Sequence, residues 1–427
     1  MKTTEEKLRK SLRYSELDGM FASVTTGVTE RFITPYALAM HATNTQIGVL
    51  SSIPNLMGAL AQLKSASLIE WLGSRRALIN SCVLASAFMW IPIIAVPYLF
   101  MRHAVWWLIA FFSVYTMLNS IDMPAWTSLM SEHVPEDRWG SYFGWRNKFL
   151  GVISAAASLV AGLALTYFRT SAFMGFTVLF SVACIARFIA WNFLIRMYEP
   201  PLAVTTEDRF GFIQFLMRVQ TSNFVRFVLF VAVVDFSVYI ASPFFAVYML
   251  RDLKMSYVVY TMISLASVVS TLIMTKIWGT HADRVGNRRV LRLTSMCIPL
   301  IPFLWLFSKS AVYLFIVQVY SGFFWAGFRL SAGNFIFDAV SPAKRPRCIA
   351  YFNVIDGLAI CIGALMGGLL LKIIPPFLGY RIITLFLISG VMRACSAMLG
   401  SLVKEVRPVR HVSNLDLFYS VAGIKPL

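Results

Sequence analysis

About a dozen apolar runs, each of roughly 20 residues, follow one another along the chain and leave it few ways to fold. A helix rises ~1.5 Å per residue, so each run can cross ~30 Å of hydrocarbon while satisfying its own backbone hydrogen bonds. The runs fall at approximately Leu17 to Met40, Gln46 to Ile69, Ala77 to Phe100, Ala104 to Met130, Phe149 to Phe168, Ala172 to Ile195, Phe227 to Leu250, Tyr257 to Ile277, Val290 to Phe307, Ala311 to Asp338, Cys348 to Ile374 and Ile382 to Val403. Composition agrees, since 58% of the residues are hydrophobic and only 14% charged, more apolar surface than a water-soluble fold can cover. The prediction is an all-α polytopic membrane protein of twelve transmembrane helices.

Twelve crossings put both ends on one side. Of the 38 Lys and Arg residues, 26 lie in loops, tails or span ends on the side of the N-terminus, 7 in loops or span ends on the other and 5 further inside spans. By the positive-inside rule both termini are cytoplasmic, and the formal charge of +18 is a topology signal that gives no reason to expect nucleic acid. The first sixteen residues carry mixed charge without a small-residue cleavage site, so the first run is expected to be a retained span. The six cysteines include no C-x-x-C pair, and neither a disulfide framework, a metal site nor a cofactor is expected.

The longest loop, Arg196 to Arg226, divides the chain. The expected organisation is a six-helix bundle over 1–195, a linker over 196–226, a second bundle over 227–403 and a cytoplasmic tail over 404–427. Within the linker, Phe210 to Gln220 reads either as an interfacial helix or as a plain tether. A shift of about 207 to 213 residues superposes the halves. Glu70, Gly73, Arg75 and Arg76 after span 2 match Asp283, Gly286, Arg288 and Arg289 after span 8; Pro135 and Arg138 match Pro342 and Arg345; Pro35 matches Pro243.

The run Gly279-x-x-x-Asp283-Arg284-x-Gly286-x-Arg288-Arg289 resembles the loop signature of the major facilitator superfamily. The first-half copy departs from it, with Ala66 for the leading glycine, Glu70 for the aspartate and Trp71 for the basic residue. The resemblance covers essentially the whole chain. It implies two pseudo-symmetric six-helix bundles rocking about a site near the midplane, in a bacterial member of unassigned subfamily. A carboxylate leaving one helix can meet the positive N-terminus of another, glycine permits the tight turn, and arginines fix the side. Glu70, Gly73, Arg75, Arg76, Arg138, Asp283, Arg284, Gly286, Arg288 and Arg289 are therefore expected to latch a transport conformation, the alternative being solvated loop charges.

Ionisable groups inside spans cost ~2.5 kcal/mol or more on insertion scales, which makes each a functional candidate. Glu30 lies near the middle of span 1 on a stripe with Ala22, Thr26 and Thr34, and is expected to carry a coupling proton; the alternative is a fixed ion pair with an arginine of another helix. Adjacent Arg31 points about 100° away. All five histidines are expected in loops. Glu30-Arg31-Phe32 partly resembles the first-helix motif of proton-coupled oligopeptide transporters, although Gly27 replaces that motif's upstream glutamate and span 4 has no lysine.

Span 4 places Asn119, Asp122 and Trp126 near one face with Tyr115, and span 10 carries Trp325 and Arg329. Asp122 and Arg329 are repeat equivalents of opposite charge, and the family's geometry makes them a candidate cytoplasmic gate; the alternative is separate pairing with Arg31 or Asp235. Asp235 and Tyr239 of span 7 are candidate substrate contacts. Arg187 and Arg393 sit on helices that the resemblance makes peripheral, which suggests snorkelling or structural pairing, and Asp356 is expected to pair structurally with Arg146 or Arg347.

No Walker sequence, H-E-x-x-H or G-x-S-x-G occurs, so the chain is not read as an enzyme and its energy must come from a gradient. The resulting expectation is a monomeric, proton-coupled secondary active transporter of the bacterial inner membrane. Its cargo would be a small amphipathic or zwitterionic organic solute. Proton-driven efflux, or a sensor or scaffold that moves nothing, are the other readings.

Overall fold

The computed structural model describes residues 4–134, 139–168, 172–200, 222–341, 344–406 and 413–421. Arg138 and the segment from Phe210 to Gln220 lie outside them. Among the described residues nine helices are long and apolar enough to cross a membrane, from Arg75–Leu99 to Arg381–Leu402, and they coincide with expected spans 3 to 8 and 10 to 12. The other three expected spans are interrupted: span 1 runs Thr4–Thr29 then Ile33–Ala39, span 2 runs Asn44–Gln62 then Ser65–Leu72, and span 9 runs Asn287–Cys297 then Leu300–Leu304. Lys64 sits exposed at the second interruption.

Two prolines account for the most informative breaks. Pro35 has no N–H to give the carbonyl of Arg31, and helix 1 turns at 30–32 before resuming. Glu30 N makes the last i→i−4 bond of the first segment, to Thr26 O at 3.0 Å, and Phe32 N closes a tighter turn onto Thr29 O at 2.9 Å. The carbonyl that Pro35 deprives is not orphaned, because Tyr260 donates its hydroxyl to Arg31 O at 2.8 Å. Repeat-equivalent Pro243 follows a similar break in span 7, between Asn223–Tyr239 and Phe244–Val247. There Ala241 N turns to Val238 O at 3.1 Å, which frees Ser237 O to accept from the hydroxyl of Ser389 at 2.6 Å.

The chain forms two compact units, Met1–Thr205 with Met249–Thr261, and Thr206–Tyr248 with Met262–Leu427. The division differs from a cut at the linker alone, because residues 249–261 group with the first unit. Val258 N donates to the hydroxyl of Thr166 at 3.2 Å, and Tyr257 stands edge-on to Phe176 with ring centres 5.9 Å apart. In the first unit span 1 lies against spans 5 and 6, and span 4 against spans 2 and 3. In the second, span 7 lies against spans 11 and 12, and span 9 against span 10.

Glycine sets the closest of these approaches. A Cβ added at Gly367 of span 11 would lie 2.0 Å from Ile240 O, and one at Gly363 would lie 2.5 Å from Phe236 O, so spans 7 and 11 meet backbone to backbone.

Candidate functional site

Each unit encloses its own cluster of charged side chains. In the first, Arg187 is buried and does not snorkel: its Nη2 donates to Asn119 Oδ1 at 2.6 Å and lies 3.7 Å from Asp122 Oδ2, while Nε donates to the Ser86 hydroxyl at 3.2 Å. Asn119 donates its own amide to Tyr115 O at 2.7 Å, and Tyr115 stands against Trp90 with ring centres 4.8 Å apart. Trp126 carries the guanidinium of Arg146 over its ring at 4.7 Å. Asp18, at the start of span 1, is buried with Oδ1 unpartnered and faces both Arg187 and Arg146.

Glu30 stands exposed in the break of span 1, and no salt bridge joins it to an arginine among the described residues. Arg31 turns instead to the buried hydroxyl of Ser158 at 3.4 Å. The expected stripe holds through Ala22, Thr26 and Glu30, but the turn at 30–32 interrupts the helical register before half-buried Thr34.

In the second unit Asp235 is fully buried and accepts both prongs of Arg329, Oδ2 from Nη1 at 2.8 Å and Oδ1 from Nη2 at 2.6 Å. The guanidinium also lies over Trp325 at 5.0 Å, and Tyr239 faces the pair. Within its own unit each member of the candidate gate has a partner: Asp122 lies beside Arg187, and Arg329 pairs with Asp235, the alternative partner expected for it. Asp356, half-buried in the same unit, stands near Asp235 and Arg329; of its expected partners, Arg146 belongs to the first unit and the side chain of Arg347 lies outside the described residues. Arg393, expected at the periphery, is buried and donates to the Ser389 hydroxyl at 3.1 Å and to Val238 O at 3.3 Å.

The signature loops hold a third arrangement. Gly73 and Gly286 adopt φ of +64° and +89°, the left-handed backbone expected of their turns. Arg75 is buried and forks onto Glu132 at 2.6 and 2.9 Å. Glu70 and Asp283 are exposed. The carboxylate on a helix N-terminus, expected from Glu70, comes from Glu199: it accepts from Ser74 Oγ at 2.5 Å, Arg75 N at 2.7 Å and Arg76 N at 3.3 Å. Glu405 repeats the contact on Arg288 N at 3.0 Å, and Asn287 donates to Asp338 at 2.7 Å. Arg76 reaches Met197 O at 3.0 Å and Arg288 reaches Ser401 O at 3.4 Å, whereas Arg284 is exposed.

Two histidines depart from their expected loops. His133 ends the helix Ala104–His133, buried, with its ring nitrogens 2.7 Å from Leu129 O and 3.0 Å from Tyr198 O; His281 lies within Tyr257–Val285, with Nε2 2.9 Å from the Ser420 hydroxyl.

The sequence profile of the Major Facilitator Superfamily matches residues 19–233 and 227–418. The chain belongs to this superfamily. Solved superfamily-like structures share the fold at low identity. The nucleoside transporter NupG aligns at TM-score 0.71 and 13% identity over 92% of this chain and 98% of that one. A D-xylose–proton symporter aligns at TM-score 0.71 and 12% identity over 94% and 99%. A bacterial homologue of the human lysosomal transporter Spinster, inward-facing and unoccupied, aligns at TM-score 0.64 and 13% identity over 94% and 96%. No curated protein matches the chain in sequence.

The protein is therefore a multi-pass superfamily secondary transporter, of a family that is not enzymatic. Within that frame, sequence reasoning missed Asp18, Glu199 and Glu405. A signal for the last two was present, since Glu199 and Glu405 are separated by the same offset, 206 residues, as Arg187 and Arg393. Asp18 carries no such signal, lying beside the mixed charges that precede span 1.

Proposed function

We propose that this transporter couples the movement of a small amphipathic or zwitterionic organic solute to protons across the bacterial inner membrane, by alternating access, with both termini in the cytoplasm. The observation that supports the reading best is the state of Glu30, an exposed carboxylate in a helix break in mid-span with no salt bridge to it among the described residues. A carboxylate so placed changes its proton affinity as its surroundings wet and dry. The solute class rests on the chemistry inside each unit, where arginines lie over aromatic rings, Arg329 over Trp325 and Arg146 over Trp126, with the carboxylates Asp235 and Asp18 facing them.

Solute-stimulated proton flux into liposomes tests the coupling, with the solute first found by thermal-shift screening, since a bound ligand raises apparent stability. Glu30→Gln mimics the protonated state, so it should abolish uphill transport and retain solute exchange. Undiminished pH-gradient-driven transport in that variant would remove Glu30 from the mechanism.

A further inference from the structure

Span 1 breaks beside the carboxylate given the coupling role, and the break leaves one backbone acceptor to be satisfied from elsewhere in the chain. Pro35 has no N–H for Arg31 O, the bond a continuous helix would make there. A buried carbonyl without a donor costs stability, and span 8 supplies one: buried Tyr260 donates its hydroxyl to Arg31 O at 2.8 Å. The Tyr260 ring stands edge-on to that of Phe32, which is fully buried, with ring centres 6.5 Å apart. Exposed Glu30 immediately precedes the residue whose carbonyl is held. The Arg31 side chain is turned away, to a Ser158 hydroxyl that itself donates to Gly27 O at 2.7 Å.

The stretch of span 8 that carries Tyr260 is fixed to the first unit around the break. Val258 N meets the Thr166 hydroxyl at 3.2 Å, and a Cβ added at Gly162 would lie 2.5 Å from Thr261 Oγ1, so spans 5 and 8 touch closely here. Tyr257 packs on Phe176, and the Phe176 ring also meets Tyr36 of the resumed helix, with centres 5.1 Å apart. Immediately beyond Thr261, at Met262, the chain passes to the second unit. The donor to Arg31 O therefore sits just before the point where span 8 leaves the first unit. A plain proline kink in span 1 would leave Arg31 O without an N–H partner, whereas the turn at 30–32 gives it Tyr260.

We propose that Tyr260 is a positioning residue for Glu30: its hydroxyl holds open the break that exposes the carboxylate, and so ties the exposure of Glu30 to the docking of residues 257–261. The functional meaning of this bond rests on the coupling role proposed for Glu30; the bond itself rests on the geometry. Undocking of that stretch takes the donor from Arg31 O, removes the advantage of the turn over the kink and changes how Glu30 meets water. A neutral hydrogen bond shifts such a balance by roughly 2- to 10-fold.

Thiol labelling of the purified full-length protein reads the exposure without a known solute. With exposed Cys395 replaced by serine, the thiol of Glu30→Cys should react with a hydrophilic maleimide, and Tyr260→Phe, which removes only the hydroxyl, should slow that reaction by roughly 2- to 10-fold. Labelling of Ser308→Cys in the same background should be unchanged, which separates a change at the break from general loosening. Pro35→Ala returns the N–H that Arg31 O lacks, so it should itself slow labelling of Glu30→Cys, and beside it Tyr260→Phe should add nothing. That variant keeps the readout if Tyr260→Phe does not fold. Labelling that is equal or faster without the hydroxyl, a parallel change at position 308, no slowing by Pro35→Ala, or an undiminished Tyr260→Phe effect beside Pro35→Ala overturns the proposal. The assay involves no proton flux, so failure of the Glu30→Gln test would remove the coupling role and leave the Tyr260 bond to stand or fall on labelling alone.

Discussion

Arg329→Gln and Asp235→Asn remove the same ion pair from opposite ends, and the structure makes the two losses unequal. Arg329→Gln strands a carboxylate that is 0% exposed and deprives it of two charge-assisted bonds, the situation in which breaking a buried pair costs ~3–5 kcal/mol. Asp235→Asn leaves a guanidinium whose side chain is 45% exposed, still rests on Trp325 and keeps Asp356 nearby. It can turn toward water, so the loss is discounted to about 1–2 kcal/mol. The double variant removes both charges and should be more stable than Arg329→Gln alone. Thermal unfolding in detergent, read with a thiol-reactive fluorophore, reports the ranking, because Cys348 and Cys361 of span 11 are buried and become reactive as the unit opens. Exposed Cys395 gives a constant background. Should Asp235→Asn prove the more damaging single change, or the double variant fall below Arg329→Gln, the burial asymmetry would not govern this pair.

Gly367→Ala should destabilise by ~1–3 kcal/mol through overpacking, since its Cβ would meet Ile240 O at 2.0 Å, whereas Gly333→Ala, with nothing within 4 Å, should be neutral or slightly stabilising in the same melt. Glu199→Ala should cost ~1–3 kcal/mol by leaving the N-terminus of span 3 and Arg75 short of an acceptor, while Glu70→Ala at an exposed position should stay within ~0.5 kcal/mol. Cysteines placed at Asn44 and Ser308 should react with an impermeant thiol reagent from outside intact cells and one at Thr206 should not; the opposite pattern would reverse the proposed orientation.

The spans were legible because twenty apolar residues have few other uses, and Pro35 and Pro243 marked where two of them break. Helix ends were less so: a helix continues as long as its backbone bonds do, and His133 and His281 lie in helical turns beyond the apolar runs. Partner choice was the hardest to read. The internal repeat relates Asp122 to Arg329, but repeat equivalence is a statement about matching positions in two units, and it says nothing of which faces touch. Asp122 meets Arg187 because spans 4 and 6 turn those faces to each other, and nothing in the local sequence around either residue encodes that rotation. The same gap explains why the sequence points to Glu70 and not to Glu199: chain proximity to the turn is visible in sequence, and the return of the chain 124 residues later is not.

That return has a consequence for how the protein is made. Arg75 is synthesised 57 residues before Glu132 and 124 before Glu199. At ~5–20 residues per second, a ribosome takes roughly 6–25 s to deliver the second carboxylate after the arginine has emerged. During that interval the loop between spans 2 and 3 has its cation without its complete set of anions, and the positive charge is free to act on the orientation of the helices that flank it. Only when span 6 is in place can the loop be tied. With the proposed orientation, a residue that holds the finished unit together is thus, for most of that unit's synthesis, a topological marker first and a structural clasp second.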